Sequence, residues 1–179
     1  MIAAWRTKPV LRSEGVASRL SHVLPLALGA ALLTSRRLAG AELARRLLPD
    51  VPWTFWLGAT LLAGGIAIAL WARVHLGGNW SGTVTLKQGH TLTRKGPYRF
   101  VRHPIYAGLL LAVLGTAISE GEWRGLAAVG LITLAFLRKI ALEERFLRAR
   151  FGREYEQYRA ALPALIPRLQ LASSRRSDH

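Results

Sequence analysis

The stretch that decides the fold is residues 51–72, "VPWTFWLGATLLAGGIAIALWA", which contains no charged side chain. An α-helix of this length rises about 33 Å and covers the hydrocarbon core of a bilayer, which is about 30 Å thick. Half of the whole chain is hydrophobic (51%), and its mean hydropathy is positive. The sequence therefore predicts an integral membrane protein with a transmembrane helix over residues 51–72.

Three further apolar blocks accompany this helix. Two of them, at 105–119 and 125–137, are separated only by "EGEWR" at 120–124, which predicts an antiparallel hairpin of two transmembrane helices. A weaker block at 23–34 is compatible with a short span, a re-entrant segment or the core of a signal peptide. The expected fold class is all-α, an integral membrane bundle of about four transmembrane helices.

The charged residues indicate how the bundle is oriented. The chain has 25 Lys and Arg against ten Asp and Glu, a formal net charge of +15. The basic residues flank the apolar blocks, where the positive-inside rule and anionic headgroups account for them, so we expect membrane lipids as partners and no nucleic acid. The basic segments 73–104 and 138–179 are predicted to face the cytoplasm, with residues 120–124 on the opposite side.

Residues 35–50 conflict with this topology. They carry four arginines and should lie outside if the block at 23–34 crosses the membrane. Either that block does not cross completely, or residues 35–50 lie on the membrane surface as a basic amphipathic segment. The chain has no cysteine, which excludes disulfides and thiolate nucleophiles, and we expect no metal site.

The C-terminal segment 139–167, "KIALEERFLRARFGREYEQYRAALPALIP", predicts an amphipathic helix at the cytoplasmic face. Its apolar stripe consists of Leu147, Phe151, Tyr155, Tyr158 and Leu162. Gly152 is expected to break or bend the helix, and Pro163 to end it. We expect residues 1–167 to form a single membrane-embedded domain, with its motif-bearing core at 71–167, and residues 168–179 to form a disordered tail.

Small residues recur every four positions on two of the predicted spans. The two stripes are Ala59, Ala63 and Ala67, and Gly108, Ala112 and Thr116. Such stripes predict helix faces that let a neighbouring helix approach closely, so we assign both of them to packing.

A polar segment at 89–108, "GHTLTRKGPYRFVRHPIYAG", leads into the block that begins at 105. Pro104 suits the first turn of a helix because it lacks an N–H group and its φ is fixed, so His103 is expected at or next to the N-cap. Backbone N–H groups at the start of this helix, together with Arg102, are suited to binding an anion.

Aromatic and acidic residues extend this candidate site. Tyr98 and Tyr106 can bring two rings to the start of the helix, which fits either ligand recognition or an aromatic and basic belt that anchors a helix end. Because the hairpin folds back, Glu143 and Glu144 should return to the level of Arg102, which favours a site over a belt. The parts match S-adenosylmethionine: a cation for its carboxylate, a glutamate for its diol or amine, and a ring for its sulfonium.

These residues also resemble a known family. "HTLTRKGPYRFVRHPIYAG" at 90–108 and "EERFLRARFGREYEQY" at 143–158 are similar to the isoprenylcysteine carboxyl methyltransferase and phospholipid methyltransferase superfamily of integral membrane methyltransferases. "LGGNWSG" at 76–82 resembles its bacterial branch. The resemblance runs from about Trp71 to Pro167, and the ordered pair of motifs makes it specific.

The resemblance implies a methyltransferase that uses S-adenosylmethionine, acts on a lipophilic acceptor and lies in the bacterial inner membrane with its active site facing the cytoplasm. The acceptor would be a carboxylate, as in isoprenylcysteine, or a lipid amine. By position, the implied cofactor-binding residues are His90, Leu92, Gly96, Tyr98, His103, Tyr106, Glu143 and Glu144. Arg102 and Lys139 would lie near the acceptor, and relatives often have Arg in place of this Lys, which orients a carboxylate less firmly.

The implied reaction is an in-line attack of the acceptor on the sulfonium methyl group. A carboxylate acceptor needs no base, whereas an amine or thiol would give its proton to His103 or a glutamate. Two alternatives stay open: an NADPH-dependent membrane reductase of the sterol reductase type, which shares the R-H-P-x-Y-x-G signature, and a non-catalytic membrane protein that retains the fold.

Overall fold

A computed structural model describes residues 10–13, 15–77, 85–87 and 92–167. Within these ranges the helices are α1 Val16–Thr34, α2 Arg36–Leu43, α3 Pro52–Leu76, α4 Pro104–Glu120, α5 Trp123–Phe151 and α6 Arg153–Ala161. A 3₁₀ turn covers Gly96–Arg99, and two short strands, β1 Val10–Ser13 and β2 Thr85–Lys87, pair antiparallel. The predicted all-α bundle is confirmed, and the small β pair is an addition that the sequence did not predict.

Helices α1, α3 and α5 are long and apolar enough to cross a membrane, with 19, 25 and 29 residues. Helix α4 is a shorter apolar helix of 17 residues, which rises about 26 Å and matches a bilayer when its flanks are counted. The helix predicted at 51–72 begins at Pro52 and continues to Leu76. The weak block at 23–34 belongs to the longer helix α1, whose first two turns are polar enough to hide its length in the sequence.

The hairpin of α4 and α5 is confirmed, but α5 is longer than expected. The sequence placed its end at residue 137, where the charges begin, whereas the helix continues without interruption to Phe151. Charged residues change the surroundings that a helix prefers but do not end it, and α5 ends only at Gly152, whose φ is +50°. The predicted break at Gly152 is therefore confirmed, and α6 ends before Pro163 as expected.

Helix α3 packs against α4, α4 against α5, and α5 against α1. The contact between α3 and α4 is the closest, because two pairs of glycines face each other. A Cβ atom on Gly65 would lie 2.4 Å from the carbonyl oxygen of Gly108, and one on Gly58 would lie 2.4 Å from that of Gly115. The seven-residue spacing on both helices repeats the contact two turns apart.

These contacts test the two predicted small-residue stripes. On α4 the prediction holds for Gly108 and Ala112, which are buried. On α3 it is wrong, because Ala63 and Ala67 are exposed and the buried face instead contains Gly58, Gly65, Ala69 and Ala72. Alanine and glycine occur on both faces of α3, so their spacing alone could not show which face meets α4.

Residues 35–50 lie at the same end of the bundle as the turn 120–124, hereafter the turn end. The backbone N–H groups of Leu47 and Leu48 donate to the carbonyl of Gly121 at 2.7 and 3.0 Å, and that of Trp123 donates to Arg45 at 3.2 Å. Helix α1 therefore runs the length of the bundle. Of the two explanations for the topology conflict, the structure favours a surface segment over an incomplete crossing.

Buried Arg124 joins the elements at the turn end. It donates to the carbonyl of Leu32 at 2.8 Å and also to that of Leu33, which satisfies acceptors at the end of α1. It also pairs with Glu120 at 3.2 Å and Glu122 at 2.5 Å. The predicted disordered tail at 168–179 lies outside the described residues.

Two adjacent glycines of α3 provide a matched test of the α3–α4 contact. Gly65→Ala should lower the free energy of unfolding by about 1–3 kcal/mol, because its Cβ meets backbone atoms that cannot move alone. Gly64→Ala should leave it unchanged or raise it slightly, since no atom of another described segment lies within 4 Å of its Cβ position and alanine is the better helix former. The measurement is thermal unfolding in detergent, and equal midpoints for the two variants would contradict the glycine contact.

Candidate functional site

The start of α4 is held in place by the C-terminal segment. Pro104 occupies the first turn and His103 is the N-cap, as predicted. The backbone N–H groups of Arg102 and His103 donate to the carbonyls of Pro163 and Ala164, both at 2.9 Å. The segment after α6 therefore crosses the entrance to α4 and fixes the residues that precede it.

Glu144 is the centre of the charge cluster at this end of the bundle, hereafter the site end. Its carboxylate is buried, with 5% of the residue exposed. Arg102 donates to Oε1 of Glu144 from Nη2 at 2.7 Å and from Nε at 3.0 Å, and His103 Nε2 lies 3.3 Å from the same oxygen. The acid and the basic residues that the sequence predicted to meet therefore do so.

The remaining partners of Arg102 and Glu144 come from the end of the chain. Arg102 also donates to the carbonyls of Arg159 and Leu162, and the other oxygen of Glu144 lies 3.6 Å from Arg148 and 3.4 Å from Arg159. Arg102 is thus surrounded by acceptors from α5, α6 and the segment that follows. Arg102 therefore acts as a clamp that links the start of α4 to α5, α6 and the segment after α6, and its side chain is only 10% exposed.

Glu143 faces a different direction from its neighbour. The hydroxyl of Tyr106 donates to Oε1 of Glu143 at 2.5 Å, and His103 Nδ1 lies 3.7 Å from Oε2. The side chain of Glu143 is 24% exposed, whereas that of Glu144 is 7% exposed. Lys139 lies 5.7 Å from the ring centre of Tyr106. A partly accessible carboxylate, an aromatic ring and a cation thus lie together beside His103.

Three buried tyrosines lie where residues 92–103, hereafter the loop, pack against α6. The hydroxyl of Tyr158 donates to the backbone carbonyl of Tyr98 at 2.7 Å, and Tyr155 is fully buried. Burial raises the pKa of Tyr98 well above its ordinary value, and the charge of Glu143 raises that pKa further. Burial likewise raises the pKa of Tyr155, and that of Tyr158 to about 12. All three phenols are therefore neutral at physiological pH.

A cavity of about 440 Å³ lies beside these tyrosines. Its lining residues are His75, Leu92, Thr93, Arg94, Lys95 and Glu154. Arg94 pairs with Glu154 at 3.2 Å and lies 5.4 Å from the ring centre of Tyr158. The loop lies directly against α3, because a Cβ on Gly96 would be 2.3 Å from the ring of His75.

The structure brings most of the predicted site residues together. The residues that meet at the site end are Arg102, His103, Tyr106, Lys139, Glu143 and Glu144, while Leu92 lines the cavity and Gly96 and Tyr98 lie between the two. His90 lies outside the described residues. In the ranges given above, no group of three or more His, Cys, Asp or Glu is placed to hold a metal ion.

The sequence reasoning missed His75 and Glu154, which both line the cavity. The available signal was their position: His75 is in the last turn of a span, directly before the polar loop, and Glu154 is in the amphipathic helix that should lie near that loop. His75 lies outside the quoted motifs, and Glu154 lies within the motif at 143–158 without an expected role, so only the packing of the loop identifies both as cavity residues.

The fold and this cluster define a helical integral membrane protein with a charged and aromatic site at one end of its bundle. The family model for phospholipid methyltransferases matches residues 53–154, which is more than half of the chain. The chain belongs to the phospholipid methyltransferase family, which confirms the superfamily that the sequence motifs indicated.

Individual relatives show similarity over parts of the chain. It is 36% identical over 99 residues to protein-S-isoprenylcysteine O-methyltransferase of Schizosaccharomyces pombe, covering 54% of this chain and 42% of that protein. It is 34% identical over 131 residues to the cobalt-zinc-cadmium resistance protein CzcN of Cupriavidus metallidurans, covering 68% and 55%. The chain thus spans about half the length of these two relatives.

The chain is also similar to a third relative and to a solved structure. Methanethiol S-methyltransferase 1 of Bradyrhizobium diazoefficiens is 43% identical over 70 residues, which cover 39% of this chain and 24% of that protein. The structure of the eukaryotic intramembrane Ras methyltransferase ICMT superposes with a TM-score of 0.57 at 20% identity, covering 88% of this chain and 54% of that one. The similarity to this solved structure shows a shared fold.

Two of the three arginines that contact Glu144 should differ in their effect on stability. Arg102→Gln should lower the free energy of unfolding by about 3–5 kcal/mol, because it removes the main partner of a buried carboxylate. Arg148→Gln should cost less than about 1 kcal/mol, since that side chain is 41% exposed and screened by solvent. Thermal and denaturant unfolding measure both, and a small effect of Arg102→Gln would contradict its role as a clamp.

The raised tyrosine pKa values predict a loss of stability at alkaline pH. Because the folded-state pKa values of Tyr98, Tyr155 and Tyr158 exceed the unfolded value of about 10, the neutral phenols stabilise the fold fully below that pH. This stability should be lost as pH rises above about 10 towards the folded-state pKa values. Tyrosinate absorbance should then increase together with the loss of helical circular dichroism, and ionisation near pH 10 with the helices intact would contradict the burial.

Proposed function

We propose that this protein is a membrane-embedded methyltransferase that uses S-adenosylmethionine and transfers its methyl group to a lipophilic acceptor. The observation that carries the proposal is the meeting of Glu143, Tyr106 and His103 at one end of a bundle that spans the membrane. Family membership and relatives that are named as methyltransferases support the same activity.

The chemistry of the site fits this methyl donor. The ammonium or ribose diol of the donor needs a carboxylate with an accessible edge, which Glu143 offers. A sulfonium is stabilised by the face of an aromatic ring, and the Tyr106 ring lies beside that carboxylate. Arg94 and Lys95 line the adjacent cavity, where they can hold the donor's carboxylate, and the cavity volume of about 440 Å³ is in the range of ligand pockets.

We propose different roles for the two basic residues that were expected near the acceptor. Arg102, expected near the acceptor, is engaged by Glu144 and by backbone carbonyls, so we assign it to positioning the start of α4. Lys139 lies over Tyr106 with Glu143 one turn further along α5, which places its charge beside the proposed methyl-transfer position. It is the residue that we propose to orient an acidic acceptor.

The proposed reaction is a single displacement. When bound, S-adenosylmethionine would supply an electrophilic methyl group: the lone pair of the acceptor would form a bond to that carbon as the carbon–sulfur bond breaks and its electrons stay on sulfur. A carboxylate acceptor needs no base, so positioning by Lys139 and exclusion of water by the bundle supply the catalysis. For an amine or thiol acceptor, His103 is the group placed to accept the proton, because Glu143 at 3.7 Å can stabilise its charged form.

We place the site on the cytoplasmic side of a bacterial inner membrane, and residues 1–167 in one domain. The loop and α6 at the site end carry basic residues, and one of them, Lys95, has no acidic partner among the described residues, which suits the positive-inside rule. At the turn end, Arg36, Arg45 and Arg46 each form an ion pair with an acid. These pairs hold the three guanidinium groups against the surface of the turn end.

Calorimetric titration of the detergent-purified protein with S-adenosylhomocysteine, and separately with NADPH, tests the proposal. We expect micromolar binding of S-adenosylhomocysteine, at least tenfold weaker in Glu143→Gln because a charge-assisted hydrogen bond is lost. Glu42→Gln, an exposed acid at the turn end, should bind like the wild type. Binding of NADPH alone would indicate a reductase, and binding of neither would indicate a protein that retains the fold without the activity.

A further inference from the structure

Arg138 is a cation of α5 that the methyl-transfer site does not use. Its neighbour Lys139 packs on Tyr106 of α4, whereas Arg138 points to α1, where its Nε donates to the hydroxyl of Ser21 at 3.3 Å. Adjacent residues on a helix point about 100° apart, which explains why the two cations serve different neighbours. Arg138 therefore lies at the seam where α1 packs against α5.

This guanidinium has no acidic partner in the part of the chain that the structure describes. Two other shielded arginines, Arg102 and Arg124, each pair with a carboxylate within 3.2 Å. Arg138 is half-buried, and its hydrogen bond to Ser21 uses only Nε, so its two terminal amino groups have no protein acceptor among the described residues. A guanidinium presents these groups as a fork that matches the two oxygens of a phosphate or carboxylate.

The depth of Arg138 makes an unpaired charge costly. It precedes Glu144 by six residues on α5, so it lies about 9 Å further into the bundle than the charge cluster at the site end. Ser21 lies five residues inside the start of α1, at a similar depth. A cation at this level of a membrane protein is stabilised by an anion, and headgroup phosphates are the anions that a bilayer supplies there.

The surroundings of Arg138 are polar and open to the lipid. Ser21 is exposed, so the fork can be reached from the bilayer along the seam. Ser18 lies three residues before Ser21, on the same side of α1, and is shielded. We propose that Arg138 and Ser21 form an oxyanion site between α1 and α5 that binds the phosphate or carboxylate of a lipid-like amphiphile.

Two sources could supply this oxyanion: a phospholipid of the bilayer, or a single-chain acidic amphiphile that enters along the seam. The chemistry at Arg138 is the same for both. They differ in whether the ligand remains bound through purification, because a two-chain lipid held between helices dissociates into detergent far more slowly than a single-chain one. The proposal does not depend on the methyltransferase activity.

The first experiment measures binding of dodecyl phosphate to the full chain in a neutral maltoside detergent, with dodecanol as the uncharged probe. Dodecyl phosphate should raise the thermal midpoint of the wild type, and its apparent Kd should increase about tenfold or more in Arg138→Gln. Arg138→Lys should fall between them because it keeps the charge but not the fork, and Ser21→Ala should weaken binding less. Arg150→Gln, an exposed cation of the same helix, is the matched control and should behave like the wild type.

Native mass spectrometry of the same samples identifies the source. A phospholipid adduct on the wild type that is lost in Arg138→Gln would assign the site to a bilayer lipid. An adduct-free wild type whose response to dodecyl phosphate requires Arg138 would assign it to a single-chain amphiphile. The proposal is overturned if dodecyl phosphate shifts the wild type and Arg138→Gln alike, or shifts neither, while the wild type carries no adduct. Circular dichroism confirms that each variant is folded.

Discussion

The buried carboxylate of Glu144 is the constraint on which the rest of the site end depends. A charge removed from water must be matched by opposite charge and hydrogen bonds, and Glu144 obtains them from Arg102 and His103 before α4 and from Arg159 in α6. These partners come from two separate parts of the chain, and Glu144 itself lies in a third, α5. The ion cluster therefore fixes how α4, α5 and α6 meet, and with them the geometry of the neighbouring site.

The two adjacent glutamates have different roles: Glu144 stabilises the structure, and Glu143 belongs to the proposed site. Because successive helix residues point about 100° apart, Glu144 can face the buried cluster while Glu143 faces Tyr106 and the more open side. His103 contacts both of them, at 3.3 Å from Glu144 and 3.7 Å from Glu143. The rigid pair with Glu144 thus holds the imidazole in the orientation in which its other nitrogen faces the proposed site.

Packing inside the bundle relies on close contact because apolar lipid gives little hydrophobic drive between helices. Gly58 and Gly65 bring the backbone of α3 directly against that of α4, which positions the end of α3 and its His75 beside the loop. At the turn end, Arg124 binds the last carbonyls of α1 and the acids of the hairpin turn. Close packing at one seam and a buried ion cluster at each end therefore keep the bundle in register.

The sequence by itself determined the membrane-spanning class, the hairpin, the start of α4 at Pro104 and the helix break at Gly152, because span length and backbone conformation are local properties. It also predicted that Glu143 and Glu144 meet Arg102 and His103, since a short hairpin allows no other level. Only the tertiary structure decided which face of α3 packs, that His75 and Glu154 line the cavity, and that Arg102 acts as a clamp. These features depend on the contacts between distant segments, which residue spacing does not encode.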